Sequence, residues 1–149
     1  MIRVQSEDFD TGAEIKALYE GNHQIGGLCS FIGLVRDIHP GASDQAMTLD
    51  HYPGMTEKML EEVEQEALVR WPLEASLIIH RFGRLEPGDQ IVLVATASRH
   101  REAAFESCHF LMDWLKTKAP FWKLEEADGK GEWVEARESD EKAKRKWDK

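Results

Sequence analysis

The sequence predicts an α+β fold, and two observations carry that prediction. Apolar, partly β-branched runs of strand length outnumber the stretches with helical spacing. They also lack the regular strand and helix alternation that builds a parallel sheet. At 149 residues the chain has a length at which one domain buries roughly 70% of the surface its unfolded form exposes. Residues 1–149 are therefore read as a single domain.

The elements follow in order. Residues 2–5 alternate enough for a short strand. Asp10-Thr11-Gly-Ala ahead of Ile15, Leu18 and Tyr19 predicts a short helix, since an aspartate at the cap accepts from otherwise unpaired amides. Ile25–Val35 reads as a strand whose glycines mark a bulge or a close backbone approach. His39-Pro-Gly-Ala-Ser-Asp44 is a loop by composition, and Ala46–Tyr52 alternates as the next strand, closed by Pro53-Gly54. Met55, Met59, Leu60, Val63, Ala67, Leu68 and Trp71 recur at three- and four-residue spacing with glutamates mostly between them, predicting an amphipathic helix that Pro72 ends. Ala75–Phe82 and Gln90–Ala97 are predicted strands joined by Gly83-Arg-Leu-Glu-Pro-Gly-Asp89, the second buried on both faces. Ala104, Phe105, Cys108, Leu111, Met112 and Leu115 make a helical stripe over 101–118, and Pro120 forces that helix to finish. Lys116 and Lys118 thus occupy its last turn. Phe121–Glu126 and Glu132–Ala136 flank Asp128-Gly-Lys-Gly131 as a hairpin. Residues 137–149 form a charged tail, read as frayed or partner-dependent.

Composition narrows the function. A formal net charge of -9 opposes nucleic-acid binding, which needs a basic face to neutralise phosphates. Yet Arg81, Arg84, Arg99, Arg101, Lys116, Lys118 and Lys123 concentrate basic charge in the middle and late sequence, which suits a small anionic ligand. Cys29 and Cys108 lack Cys-x-x-Cys spacing and lie in apolar surroundings, so they read as core residues of a protein in a reducing, cytoplasmic compartment. No export signal and no apolar run long enough to span a membrane are visible. The six histidines show no metal-ligand spacing. Phosphate-loop, dinucleotide and serine-elbow motifs are absent as well. No metal and no cofactor are expected.

Three cationic positions carry the candidate chemistry. Lys116 and Lys123 are separated by a helix end, a proline and two aromatics, so both ammonium groups could face one cavity while Phe121 and Trp122 restrict water. Burial and a second nearby cation lower a lysine's pKa, so that a substantial fraction is neutral at pH 7 and able to act as nucleophile or base. The bland alternative is that Lys116 complements a helix C-terminus and Lys123 is a solvated strand residue. Ser98-Arg-His-Arg101 lies where a buried strand gives way to a helix, a place that receives oxyanions through backbone amides and bidentate arginine. Ordinary polar punctuation is the competing reading there. Arg36, at the end of Phe31–Val35, is a third cation at an element end. Glu125 and Glu126 adjoin in a strand and point to opposite faces, which disfavours a carboxylate pair.

Four segments together resemble the catalytic, large subunit of molybdopterin synthase. They are Phe31-Ile-Gly-Leu-Val-Arg36, Leu49-Asp-His-Tyr-Pro-Gly-Met55, His80-Arg-Phe-Gly-Arg-Leu85 with Ser98-Arg-His-Arg-Glu-Ala-Ala-Phe105, and Asp113-Trp-Leu-Lys-Thr-Lys-Ala-Pro-Phe-Trp-Lys-Leu-Glu125. The resemblance implies an α/β-hammerhead type of α+β fold with an additional antiparallel β subdomain. It implies a homodimer within a heterotetramer, each catalytic subunit binding one small ubiquitin-like sulfur-carrier subunit. It implies a sulfurtransferase that converts cyclic pyranopterin monophosphate to molybdopterin with two sulfurs from the carrier's C-terminal thiocarboxylate. Residue by residue, Lys116 and Lys123 match the family's essential lysines. Leu34, Val35, Arg36, His100, Arg101, Leu124 and Glu125 match substrate-binding or pocket-lining positions. Leu34 departs from relatives that carry a basic residue, which leaves a backbone contact at that position. Two other readings remain open from the residues: Schiff-base chemistry on the lysine pair, and a non-catalytic adaptor for a ubiquitin-like partner.

Overall fold

The computed structural model describes residues 1–134 and 145–148. Eleven elements run in the order β1 (Ile2–Gln5), α1 (Thr11–Tyr19), β2 (Gly27–Leu34), β3 (Ala46–His51), α2 (Met55–Arg70), β4 (Leu73–Arg81), β5 (Gly83–Leu85), β6 (Gln90–Ser98), α3 (Arg101–Thr117), β7 (Phe121–Ala127) and β8 (Lys130–Val134). They build two four-stranded sheets, ordered β1-β4-β6-β2 and β5-β3-β7-β8. In the first, β1 runs parallel to β4 while β6 is antiparallel to β4 and β2. The second is antiparallel throughout. This is the expected α+β class with its additional antiparallel part.

Strand alternation explains how the first sheet is covered on both faces. Ile78, Val92 and Val94 pack against Leu60, Val63 and Ala67 of α2 and against Cys108, Leu111 and Leu115 of α3. The opposite face presents Leu77, Ile79, Leu93 and Ala95 to Phe9, with Leu18 of α1 beside them. The central strand β6 is accordingly buried from Val92 to Ser98, as the continuous apolar run predicts. Each fully buried Leu, Ile or Val here contributes about 1.5–3 kcal/mol of transfer free energy. A third cluster, Val35, Met47, Leu49 and Leu85 with Ile38 and Ile91, joins the two sheets.

Four local features differ from the sequence reading. Gly83, at φ 95, turns the chain out of β4 and into β5, a three-residue strand paired with β3 where a loop is expected. The β7–β8 turn is tighter than expected: Asp128 (φ 52) and Gly129 (φ 78) are both left-handed, the backbone of a two-residue hairpin. Lys130 and Gly131 therefore join the ladder opposite Ala127 and Glu126. Residues 135–136 of the expected second strand lie outside the described residues. Glu64 is buried rather than solvated, accepting hydrogen bonds from the Met1 ammonium and from Ser76 Oγ at 2.6 Å. Finally, in the tail read as frayed, Trp147 packs edge-on to Trp71 and Phe110, and its indole N–H donates to Asp113 at 2.6 Å. Residues 137–144 and 149 of that tail lie outside the described residues.

Candidate functional site

The candidate cations fall at two ends of the molecule, and the topology says why. β2 runs antiparallel to β6 with Gly27 beside Ser98 and Leu34 beside Gln90. Arg36, two residues past β2, therefore sits at the Gln90 end, while His100 and Arg101 follow Ser98 at the other. Helix α3 starts at Arg101 and carries Lys116 in its last turn. At 1.5 Å per residue the two lie about 22 Å apart along the axis. The structure thus places Arg36, Lys116, Lys123 and Glu125 at one end and separates them from His100 and Arg101, which the sequence reading groups with Arg36. The helix expected over 101–118 already holds that separation; counting its rise reveals it.

At the lysine end, α3 terminates with the Lys118 amide donating to the Trp114 carbonyl at 2.8 Å. Buried Thr56, in the first turn of α2, donates through its hydroxyl to the Pro120 carbonyl at 3.3 Å and fixes the connection into β7. In β7, residues Phe121, Lys123 and Glu125 share one face, and Trp122 and Leu124 the other. Register pairs Lys123 with Leu49 and Glu125 with Met47, so the first face is the one packed on the cluster that contains Val35. The Lys123 ammonium has the Glu125 carboxylate 3.5 Å away as counter-ion. Val35 is buried, its amide donating to the Asp89 carbonyl at 2.9 Å and its carbonyl accepting from Gly88 at 2.7 Å. That clamp leaves Arg36 exposed at the rim, next to Leu34, whose side chain is 56% exposed.

The expected shielding of the lysines is not met in the single chain. Lys116 is exposed, the Lys123 side chain retains 34% exposure, and Trp122, on the opposite face of β7, is itself 49% exposed. A cation open to solvent at the mouth of the site is placed to steer anions toward it.

Two histidines that the sequence reading assigned no role lie beneath this end. His80 is buried in β4, its ring stacked on Phe121 with centroids 3.7 Å apart and planes 15° from parallel. Its Nδ1–H donates to the Arg81 carbonyl at 2.8 Å. Burial pushes its pKa down to about 4, and the charges of nearby Lys116 and His51 push the same way against that hydrogen bond. His51 faces Phe121 across the β3–β7 ladder and lies 4.3 Å from the Phe82 ring. A polar residue closing the apolar run Leu77-Ile-Ile-His80 was the available signal.

At the other end, β2 begins against backbone. A side chain at Gly26 would meet the Arg99 carbonyl oxygen at 2.1 Å, and one at Gly27 would lie 3.6 Å from Arg101 Cα. Here the Ile25–Val35 glycines mark a close approach, holding the 99–101 segment against the sheet edge. His100 is the N-cap of α3 and makes no side-chain cap hydrogen bond, so the first amides of the helix are not capped by it. Among the described residues no group of three or more His, Cys, Asp or Glu is placed to hold a metal ion. No described helix is long and apolar enough to cross a membrane.

Fold and site together define an α+β protein with arginines and lysines set at the ends of a buried sheet and its covering helix. The family model described as MoaE protein matches residues 4–118. A molybdopterin synthase catalytic subunit from Ralstonia nicotianae is 56% identical over 146 residues, covering 98% of this chain and 83% of that relative. The structure of molybdopterin cofactor biosynthesis protein E from Burkholderia multivorans superposes with a TM-score of 0.83 at 50% identity, covering 99% of this chain and 95% of that one. A complex of subunits 1 and 2 of molybdopterin-converting factor from Helicobacter pylori shares the fold, with a TM-score of 0.75 at 22% identity over 91% of each chain. The chain belongs to the MoaE family.

Proposed function

We propose that this chain is the sulfur-transferring catalytic subunit of a molybdopterin synthase, with its working site at the α3–β7 junction. The observation that carries the reading is the buried stack of His80 on Phe121: Lys116 of α3 acts on that histidine, and Lys123 follows Phe121 by two residues on the same face of β7. Both reactants are anionic: a pyranopterin bearing a cyclic phosphate, and the thiocarboxylate at the C-terminus of a small ubiquitin-like sulfur carrier. The lysines at this end steer the thiocarboxylate inward and stabilise the charge that develops as water displaces sulfur from the carrier's acyl carbon, leaving a carboxylate. Lys116 is the direct participant. Lys123, with Glu125 as its counter-ion, acts electrostatically or in proton transfer. Arg36 binds the phosphate by bidentate donation, Leu34 contributes backbone, Val35 anchors the strand end beside Arg36, and Leu124 continues the lining segment. Two rounds of transfer install the dithiolene.

The about 22 Å between Arg101 and Lys116 supports a homodimer in which His100 and Arg101 come from a second copy. β2 is an edge strand whose Phe31 and Leu34 are exposed, the kind of edge that another chain covers. Two copies packed along β2 about a two-fold axis run in opposite directions. The Arg36 end of one then meets the Gly27 end of the other, where Arg101 of the partner subunit lies. The two carriers bound to such a dimer complete a heterotetramer in the cytoplasm, each catalytic subunit forming one domain over residues 1–149.

Turnover tests the proposal. Purified protein with thiocarboxylated carrier and cyclic pyranopterin monophosphate should yield dithiolene product. Lys116→Ala should lower the rate by about a hundredfold or more with fold and carrier binding retained. Carrier binding without any conversion would leave an adaptor, and unchanged conversion by Lys116→Ala would remove the assignment of that residue.

A further inference from the structure

Lys116 ends a helix and Lys123 lies in a strand, and the connection between those elements, residues 118–120, has no regular structure. Their separation therefore depends on what fixes the start of β7 against the end of α3. A side chain with no part in the sulfur-transfer scheme stands at that point. His80 is held from three directions: its Nδ1–H by the Arg81 carbonyl, its ring face by Phe121, and its surroundings by the protein interior. A carbonyl only accepts, so the ring proton is on Nδ1 and the plane of the imidazole is set by that bond. Phe121 is the first residue of β7 and shares the face of Lys123 two residues on. Lys116 acts on the same imidazole from α3, and His51 from β3.

We propose that His80 is a positioning residue for the lysine pair: its clamped ring seats Phe121 and thereby sets Lys123 against the helix end that carries Lys116. The inference rests on the sulfur-transfer reading for its catalytic consequence, but not for its geometry. A neutral imidazole suits the task, because it stacks on Phe121 at working pH without adding a further positive charge near Lys116. A histidine serving only to fill the core would alter stability and leave the chemistry per folded molecule untouched.

Two measurements test it. In the free protein, a nuclear magnetic resonance titration of the His80 ring should show its midpoint rising in Lys116→Ala, because a repelling cation has gone. An unmoved midpoint would overturn the placement of Lys116 near this ring. In single-turnover assays per folded molecule, His80→Ala should slow conversion by about tenfold or more with carrier affinity retained, and His80→Phe, which keeps a ring against Phe121, should recover to within about threefold of wild type. His80→Ala combined with Lys123→Ala should be no slower than Lys123→Ala alone, the non-additivity of residues that act through one another. Wild-type rates in His80→Ala, no recovery in His80→Phe, or additive losses would each overturn the proposal. If His80→Ala does not fold, comparing His80→Gln with His80→Phe decides the same question, with only the phenylalanine expected to approach wild type. A wild-type protein that made no dithiolene would defeat the functional reading, while the titration would still decide whether Lys116 lies near the His80 ring.

Discussion

At the scale of single residues, the chemistry depends on side chains whose sequence neighbours say little about their surroundings. Lys116 and Lys123 are seven positions apart, and the aromatics between them suggest a covered pocket. Strand alternation instead sends Trp122 to the opposite face, and Phe121 inward onto a histidine from β4. His80 is illegible for the same reason: its partner is 41 residues away and belongs to the other sheet. Its burial makes a clear solution prediction. Unfolding returns the ring from a pKa of about 4 to its ordinary 6.5, so between those values the unfolded chain binds a proton that the folded chain does not. Stability therefore falls as pH drops through that window, by about 2 kcal/mol from pH 7 to pH 5 for this group alone. Denaturant unfolding at the two pH values measures it, and His80→Phe should remove about that much of the difference.

At the scale of elements, legibility follows whether an element is defined by its own pattern or by a distant partner. Helix α2 declares itself through apolar spacing and a terminal proline, and β6 through a continuous apolar run. The strand β5 exists because β3 lies beside it, and nothing within Gly83-Arg-Leu85 announces that. The docking of Trp147 is likewise set by Trp71 and Phe110, in a tail whose charge alone suggests solvation. Trp147→Ala should cost about 1–2 kcal/mol, less than a fully buried tryptophan because the site is partly open, as read by the denaturation midpoint. Gly26 offers a sharper test of the close approach at the start of β2. A methyl there meets the Arg99 carbonyl, backbone that cannot swing aside. Gly26→Ala should destabilise by about 1–3 kcal/mol and disturb the 99–101 segment more than the lysine end, which amide exchange protection would resolve.

At the scale of the whole molecule, the fold explains why its cations are divided. A long strand and the helix that returns over it carry their ends to opposite sides, so one chain presents two groups of cations, lysines with Arg36 at one end and His100 with Arg101 at the other; the proposed function makes each group half of a site shared with a second copy. Family membership motivates the proposed chemistry, and the edge position of β2 motivates the proposed second copy. The direct test mixes two inactive variants, Lys116→Ala and Arg101→Ala, under conditions that exchange subunits, and measures dithiolene formation from thiocarboxylated carrier. In a mixed dimer one site receives both substitutions and the other receives an intact Lys116 with an intact Arg101 from its partner, so turnover should return to about a quarter of wild type for random mixing. A mixture that stays as inactive as its parts would contradict the shared site and return all the chemistry to a single chain.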